Sequence, residues 1–408
     1  MTRLLILGGG SCQLHAFKRA KERGYSAVLF DYLPAPPAAA LADIHRPVST
    51  FDWDACLEEA KRLSLDGVMT VGTDQPVFTC ALIAAKLGLP SLIRPGTALA
   101  VTNKAVMKRI LSRHCIPTAR WFLTDKEELP LLPLEGPVVI KPVDSQGQRG
   151  VIKAENVQRA ADFFEDSIAF SRRGELLCET YYPSAEVTVN AWVHEGNAHM
   201  LAVTDRVCFG HERHIGVCAA HRFPSRAAAG QEDVIRAVTQ RVADAFGLRN
   251  GPLYIQLLTG ESGILVNELS SRIGGAFEDV FIPYLTGFDI LDAVMDAALG
   301  RSPAPPAPFD PAGKQIRVLM PFARPGRIGS MTPPADILAL EGVMDARFNY
   351  AAGDVIPRFE NAAGRLGVIV LRAENAGTMR HCLDRFYSMF HVLDDAGEDM
   401  LLDAWRVS

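Results

Sequence analysis

The sequence predicts a mixed fold, α/β and α+β: a doubly wound parallel sheet at the N-terminus, an antiparallel α+β region in the middle and a small α+β domain at the end. Three observations carry this. Strand-like and helix-like segments alternate over roughly the first hundred residues, the signature of parallel β-α-β units. From Asn103 the pattern changes to short strands set between glycine-rich turns, which suits antiparallel pairing. The tract Ser302 to Pro311 then carries five prolines, can continue neither a helix nor a central strand, and reads as a linker before a final domain.

The elements follow in order. Arg3 to Leu7 is an apolar strand running into Gly8-Gly9-Gly10, Gln13 to Arg23 a helix closed by Gly24, and Ala27 to Phe30 a second strand ending at Asp31. The alternation continues more loosely with a helix over Trp53 to Leu63, a strand over Gly67 to Val71, a helix over Val77 to Leu87 and a short strand over Ser91 to Ile93. A basic helix follows, with Lys104, Lys108, Arg109 and Arg113. Strands are then expected at Val138 to Lys141, Leu176 to Glu179 and Val187 to Val193, and a strand and helix at Leu366 to Leu371 and Thr378 to Phe390.

Composition bounds the function. The 408 residues exceed one domain of about 150 and suggest two or three. They are 48% hydrophobic and 22% charged, enough to build cores rather than a disordered chain. The net charge of −5 contains no long run of one sign, so neither a nucleic acid nor a membrane surface is the expected partner. No apolar run is long enough to span a bilayer, and Leu4 to Leu7 is too short for a secretion signal, so cytoplasmic residence is expected. The eight cysteines include no CxxC pair and read as reduced, mostly buried thiols.

Gly8-Gly9-Gly10 after a strand, with Asp31 ending the next one, invites a dinucleotide-binding reading. The fingerprint's third glycine is replaced by Gln13, which favours a plain tight turn. A second constellation is more specific. Val138-Val139-Ile140-Lys141-Pro142 ends in a lysine, and the polar loop Asp144 to Val151 holds Gly147 and Gly150; a cation beside free backbone amides suits a polyphosphate. Leu176 to Tyr182 runs into a hinge, Glu186 begins a further strand, and Gln256 and Glu268 lie twelve residues apart on two strands, where oxygen ligands suit Mg²⁺.

In this order and spacing, Lys104, Val138 to Pro142, the 144–151 loop, Glu179, Glu186, Gln256 and Glu268 to Arg272 resemble the ATP-grasp superfamily. Gly72-Thr73-Asp74-Gln75-Pro76 is similar to the domain preceding it, and Ala363 to Gly367 to the C-terminal domain of the biotin-carboxylase-like branch. The resemblance implies an N-terminal pre-ATP-grasp domain over 1–101, an ATP-grasp domain over 102–301 built of two α+β subdomains with the lid at about 117–185, and a C-terminal domain over 312–408. It implies ATP held by Lys104, Lys141, Ser145, Gln146, Gly147 and Gly150, with Glu179, Tyr181 and Tyr182 at adenine and Glu186 at ribose. Gln256 and Glu268 fall at the positions that hold Mg²⁺ or Mn²⁺, and Arg272, with Lys141, at the catalytic positions where the transferred phosphate is neutralised. Gln256 stands where glutamate is commoner and Ser270 where asparagine is commoner, which lowers the negative charge of the metal site.

The run Asp205 to Ser225 lies over the acceptor pocket in the resembled family. Arg206, His214, His221 and Arg222, with Gly274 and Gly275, are therefore the expected substrate contacts. The implied activity is that of an ATP-dependent carboxylate–amine ligase of the L-amino acid ligase kind, ADP-forming, acting on small carboxylates and amines, amino acids above all, and assembled as a homodimer. Two readings stand beside it: a bicarbonate-dependent carboxylase or purine-pathway ligase on a similar scaffold, and a nucleotide-binding protein without turnover.

Overall fold

The computed structural model describes residues 1–209, 215–358 and 361–407. The N-terminal strands β1 (Arg3–Leu7), β2 (Ser26–Phe30), β3 (Ile44–Arg46) and β4 (Gly67–Met69) form a parallel sheet in the order β3-β2-β1-β4. An apolar run such as Leu4 to Leu7 is what a strand buried on both faces requires. Leu5 and Leu7 face α2 (Trp53–Lys61) and α3 (Pro76–Leu87), packing with Cys56, Leu57 and Ile83. Leu4 and Ile6 face α1 (Leu14–Glu22) on the other side, together with Phe281, Ile282 and Met295 from helices far along the chain. The sheet is doubly wound as expected, but part of one face is covered by a later segment.

Asn103 closes α4 (Pro95–Thr102) and caps α5 (Lys104–Arg113), its side chain accepting from Val106 N at 3.0 Å. The expected strand over Ser91 to Ile93 is instead a turn, because the Ser91 hydroxyl bonds to both the amide and the carbonyl of Ile93 and so supplies locally what a sheet partner would.

Two antiparallel sheets follow. β5 (Trp121–Thr124), β6 (Val138–Pro142), β7 (Ile152–Ala154) and β8 (Leu176–Thr180) pair in the order β5-β8-β6-β7, backed by the short helices α6 (Val157–Ala161) and α7 (Phe164–Ile168). β9 (Ala185–His194), β10 (Asn197–Cys208), β11 (Cys218–Phe223), β12 (Gly251–Gly260) and β13 (Gly263–Ser270) belong to an eight-stranded sheet. α8 (Glu232–Ala245) packs Ile235, Val238 and Val242 against Val187, Val189 and Ile255 of that sheet. α9 (Glu278–Thr286) and α10 (Ile290–Ala298) supply the residues that cover the N-terminal sheet.

After the proline tract, which carries no helix or strand, β14 (Gln315–Leu319) adds to β11, and the strands Gly367–Ala373 and Val343–Phe348 extend the same sheet beyond it. The last segment thus shares hydrogen bonds with the central one, and its shorter strands pair among themselves, Gly326–Arg327 with Val355–Ile356 and Ser330–Met331 with Val392–Leu393. All eight cysteines are free thiols, with only Cys115 exposed. No helix among the described residues is long and apolar enough to cross a membrane.

Three segments meet at His15 of α1. Its Nδ1 lies 2.9 Å from Asp279 of α9 and its Nε2 2.8 Å from Asp345 of the Val343–Phe348 strand, which also pairs with Arg347, whose Nη2 lies 2.8 Å from the same His15 Nε2. Burial alone would lower the His15 pKa, but the two carboxylates outweigh it and raise it to about 9. A histidine raised in the folded state gives its full stabilisation below its ordinary value of 6.5 and loses it as pH climbs through about 9. Replacement by glutamine is expected to cost about 3 kcal/mol at pH 6, the difference from the wild type shrinking steadily toward pH 9.5. Denaturant unfolding of both proteins across this range checks it; a pH-independent difference would contradict the assignment.

Candidate active site

Lys141 sits near the end of β6, whose five residues are all buried. Its Nζ donates to the carboxylate of Glu179 on β8 and, at 3.3 Å, to Asn267 Oδ1 on β13. Asn103, by ending one helix and starting the next, makes Lys104 the first residue of α5. The Lys104 amide donates to Val143 O at 2.8 Å and its Nζ to Ser145 O at 2.6 Å, with Glu268 3.6 Å away. Both lysines therefore face a cleft of about 490 Å³ lined also by Ser145, Gln146, Gly147, Glu179, Tyr181, Tyr182, Glu186, Arg206, Arg222 and Glu268.

The loop after β6 is anchored on several sides. Gly147 and Gly150 adopt φ of 68° and 72°, and a Cβ on Gly150 would lie 2.7 Å from Ser167 O, so the turn needs glycine there. Gln146 Oε1 accepts from the amides of Asp74 and Gln75 at 2.8 and 3.2 Å, just ahead of α3. Gly147 O accepts from Ala362 N at 3.2 Å. Arg172, from the same subdomain, stacks 3.3 Å over the Phe51 ring. The loop thus touches the N-terminal and the C-terminal segments at once.

A second cleft of about 230 Å³ adjoins the first and shares Asp74, Lys104, Ser145, Gln146 and Glu268 with it. Gln256, Ser270 and Arg272 line it, with an apolar side from Phe78, Leu99 and Met107. Arg272 pairs with Asp74 at 2.5 Å and lies 4.5 Å over the Tyr254 ring. Gly275 has no room for a Cβ, which would meet Gly72 O at 2.7 Å, so the strand end carrying Arg272 closes directly onto the loop carrying Asp74.

Gln256 and Glu268 are cross-strand partners on β12 and β13. Gln256 Oε1 and Ser270 Oγ are buried without a hydrogen-bond partner, and such orphaned oxygens beside one carboxylate fit a hard divalent cation. Among the described residues no group of three or more His, Cys, Asp or Glu gathers to hold a metal ion, so any cation here would rest on Glu268 with neutral oxygens. Burial would raise the Glu268 carboxyl, but Lys104, Lys141, Arg206 and Arg272 hold it below its ordinary value. Burial would likewise raise Glu179, yet Lys108 and Lys141 bring it down to about 2.

The expected substrate contacts divide. Arg206 and Arg222 reach the cleft, but Arg206 pairs with Glu186, the expected ribose ligand, and Arg222 bonds Asp205 at 2.5 and 2.8 Å. His221, Gly274 and Gly275 line neither cleft. His221 is buried against Thr204 at 3.0 Å, and burial pushes its pKa to about 4. A Cβ on Gly274 would stand 1.9 Å from the carboxyl of Glu278, whose pKa burial raises. His214 lies outside the described residues. Sequence reasoning missed Asp74, Asn267 and Lys108; Lys108 is one helical turn after Lys104, the spacing that puts both on one face. In the glycine turn after β1, Asp31 accepts from Gly9 N at 2.8 Å, and Gln13 donates to Val71 O at 2.7 Å across it.

Comparison with known proteins agrees with this geometry. Residues 134–278 match the ATP-grasp domain, and residues 318–392 the L-amino acid ligase C-terminal domain 2. Dapdiamide A synthase of Enterobacter agglomerans is 24% identical over 263 residues, spanning 60% of this chain and 60% of that protein. The L-arginine-specific L-amino acid ligase of Bacillus subtilis is 22% identical over 324 residues, 76% of each chain. The crystal structure of L-amino acid ligase from Bacillus licheniformis superposes with a TM-score of 0.81 at 18% identity, covering 97% of this chain and 99% of that one. Phosphoribosylglycinamide synthetase from Anaerococcus prevotii gives 0.74 at 21% identity, covering 97% and 100%. The chain carries an ATP-grasp domain followed by an L-amino acid ligase C-terminal domain, as the sequence resemblance implied.

The loop geometry makes a prediction about motion. Little apolar surface anchors residues 145–150, so a non-hydrolysable ATP analogue with Mg²⁺ is expected to slow their amide hydrogen exchange, and Gln146→Ala to reduce that protection. Exchange in this loop that ignores the nucleotide would contradict its assignment as a lid.

Proposed function

We propose that this chain, built on the ATP-grasp and L-amino acid ligase domains, is an ATP-dependent carboxylate–amine ligase that joins amino acids and releases ADP and phosphate. The observation that carries this reading is the meeting of the two clefts at Lys104 and Glu268, with Lys141 on one side and Arg272 on the other. Triphosphate lies in the larger cleft along Lys104 and Lys141, its adenine toward Tyr181 and Tyr182 and its ribose toward Glu186. The carboxylate substrate enters the smaller cleft.

The chemistry asks for positioning and charge neutralisation more than for a nucleophile of the protein's own. A carboxylate oxygen of the substrate bonds to the terminal phosphorus as the bond to the ADP oxygen breaks, giving an acyl phosphate. The amine nitrogen then bonds to the carbonyl carbon and loses a proton, and phosphate departs with that oxygen. Arg272 and Lys104 neutralise the charge that builds on the transferred group, a role worth most in a site closed to water. Gln256, Glu268 and Ser270 would hold magnesium, and the ion would supply further neutralisation of phosphate charge when bound. Amino acids, small and charged at both ends, suit a cleft that brings cations and carboxylates together.

ADP release measured with a panel of amino acids, singly and in pairs, tests the assignment. Release dependent on an amino-acid pair supports it; dependence on bicarbonate would identify a carboxylase, and nucleotide binding without turnover a binding protein. Lys141→Met and Glu268→Ala are expected to abolish ADP formation in folded protein. Arg272→Ala should slow turnover by about 10²–10³ while changing nucleotide affinity far less, because its charge is needed as transfer proceeds. Near-wild-type turnover in any of the three would remove that residue from the site.

A further inference from the structure

We infer that Lys108 and Glu179 are positioning residues that keep Lys141 aimed into the cleft, an assignment that rests on Lys141 holding nucleotide phosphate. Lys108 is only 1% exposed, and Glu179 4%. An ammonium buried so deeply is costly unless a specific partner repays its lost hydration. The partner is shared: Glu179 presents Oε2 to Lys108 at 2.9 Å and Oε1 to Lys141.

The three side chains close a ring through β13. Lys108 Nζ donates to Thr118 Oγ1 at 2.6 Å, and the Thr118 hydroxyl donates to Val266 O at 2.8 Å. The next residue, Asn267, accepts from Lys141 at 3.3 Å. A flexible lysine stem is thereby fixed between acceptors on two strands, which limits the rotamer entropy lost when a ligand arrives. Lys108 lines neither cleft, so it acts through Glu179.

Charge explains why a second lysine is needed. A Glu179–Lys141 pair alone would be neutral and a poor phosphate ligand. With Lys108 the two ammoniums and one carboxylate sum to +1, and Lys141 keeps attraction to spare for an anion. Lys108 in effect draws half of Glu179 away.

Isothermal titration of a non-hydrolysable ATP analogue with Mg²⁺ into wild type, Lys108→Met and the double variant K108M/E179Q tests this, with circular dichroism to confirm folding. Lys108→Met, which leaves a neutral pair, should weaken binding about 10-fold or more, the usual penalty for losing a partner that orients a ligand-holding group. The double variant restores a net +1, keeps an amide oxygen for Lys141, and should bind more tightly than Lys108→Met alone. A role confined to folding predicts instead that the two changes add. A folded Lys108→Met that binds like wild type, or a double variant no tighter than it, overturns the inference. Where Lys108→Met does not fold, the double variant decides: affinity within about 3-fold of wild type supports the inference, and a loss of about 10-fold overturns it. A wild-type chain that binds no analogue would overturn the ATP-dependent reading itself, a result distinct from either of these.

Discussion

A site that gathers this many cations in a buried cleft depends on counter-charge, and the rest of the structure is arranged around supplying it. Lys104 lies near Glu268, Lys108 and Lys141 share Glu179, Arg206 pairs with Glu186, Arg222 with Asp205 and Arg272 with Asp74. Removing one partner of a buried pair costs about 3–5 kcal/mol, because the other charge is left unpaired out of water. Several pairs join different parts of the chain: Arg272 of the central region reaches Asp74 of the N-terminal one, and Lys108 of α5 reaches Glu179 of β8. The electrostatics of the cleft and the assembly of its walls are therefore one problem.

The same constraint organises the edges of the site. Gly275 and Gly72 bring two loops close enough for the Arg272–Asp74 pair to form. Gln146 places a neutral carbonyl on the amides ahead of α3, a contact suited to a segment that opens and closes. The face bearing Gln256 and Glu268 is the exception: an amide stands beside a single carboxylate, so Glu268 carries the negative charge there while four cations hold it ionised.

Much of this was legible in the sequence where a local pattern carries the information. The strand Val138 to Pro142, the glycine loop and the paired strands bearing Gln256 and Glu268 appear where hydrophobic runs and turn residues place them. What stayed hidden was set by distant partners. Nothing near Arg222 in sequence shows that Asp205 will take its guanidinium across β10 and β11, or that His221 will be buried against Thr204. Lys108 looked like one more charge on a basic helix, and its burial follows only from β8 and β13 closing over it. The Ser91 to Ile93 segment has strand-like composition, but its own serine satisfies the backbone and no neighbour recruits it. The final domain is distinct in sequence, yet its strands continue the central sheet, since β11 offers an open edge to β14.

The central claim is that the cleft transfers the terminal phosphate of ATP to a carboxylate. Following heavy oxygen from the substrate carboxylate tests it most directly. If Lys104, Lys141 and Arg272 serve an acyl phosphate, turnover of a doubly ¹⁸O-labelled amino-acid carboxylate yields inorganic phosphate bearing one labelled oxygen. Label in AMP, or phosphate with none, would contradict the account.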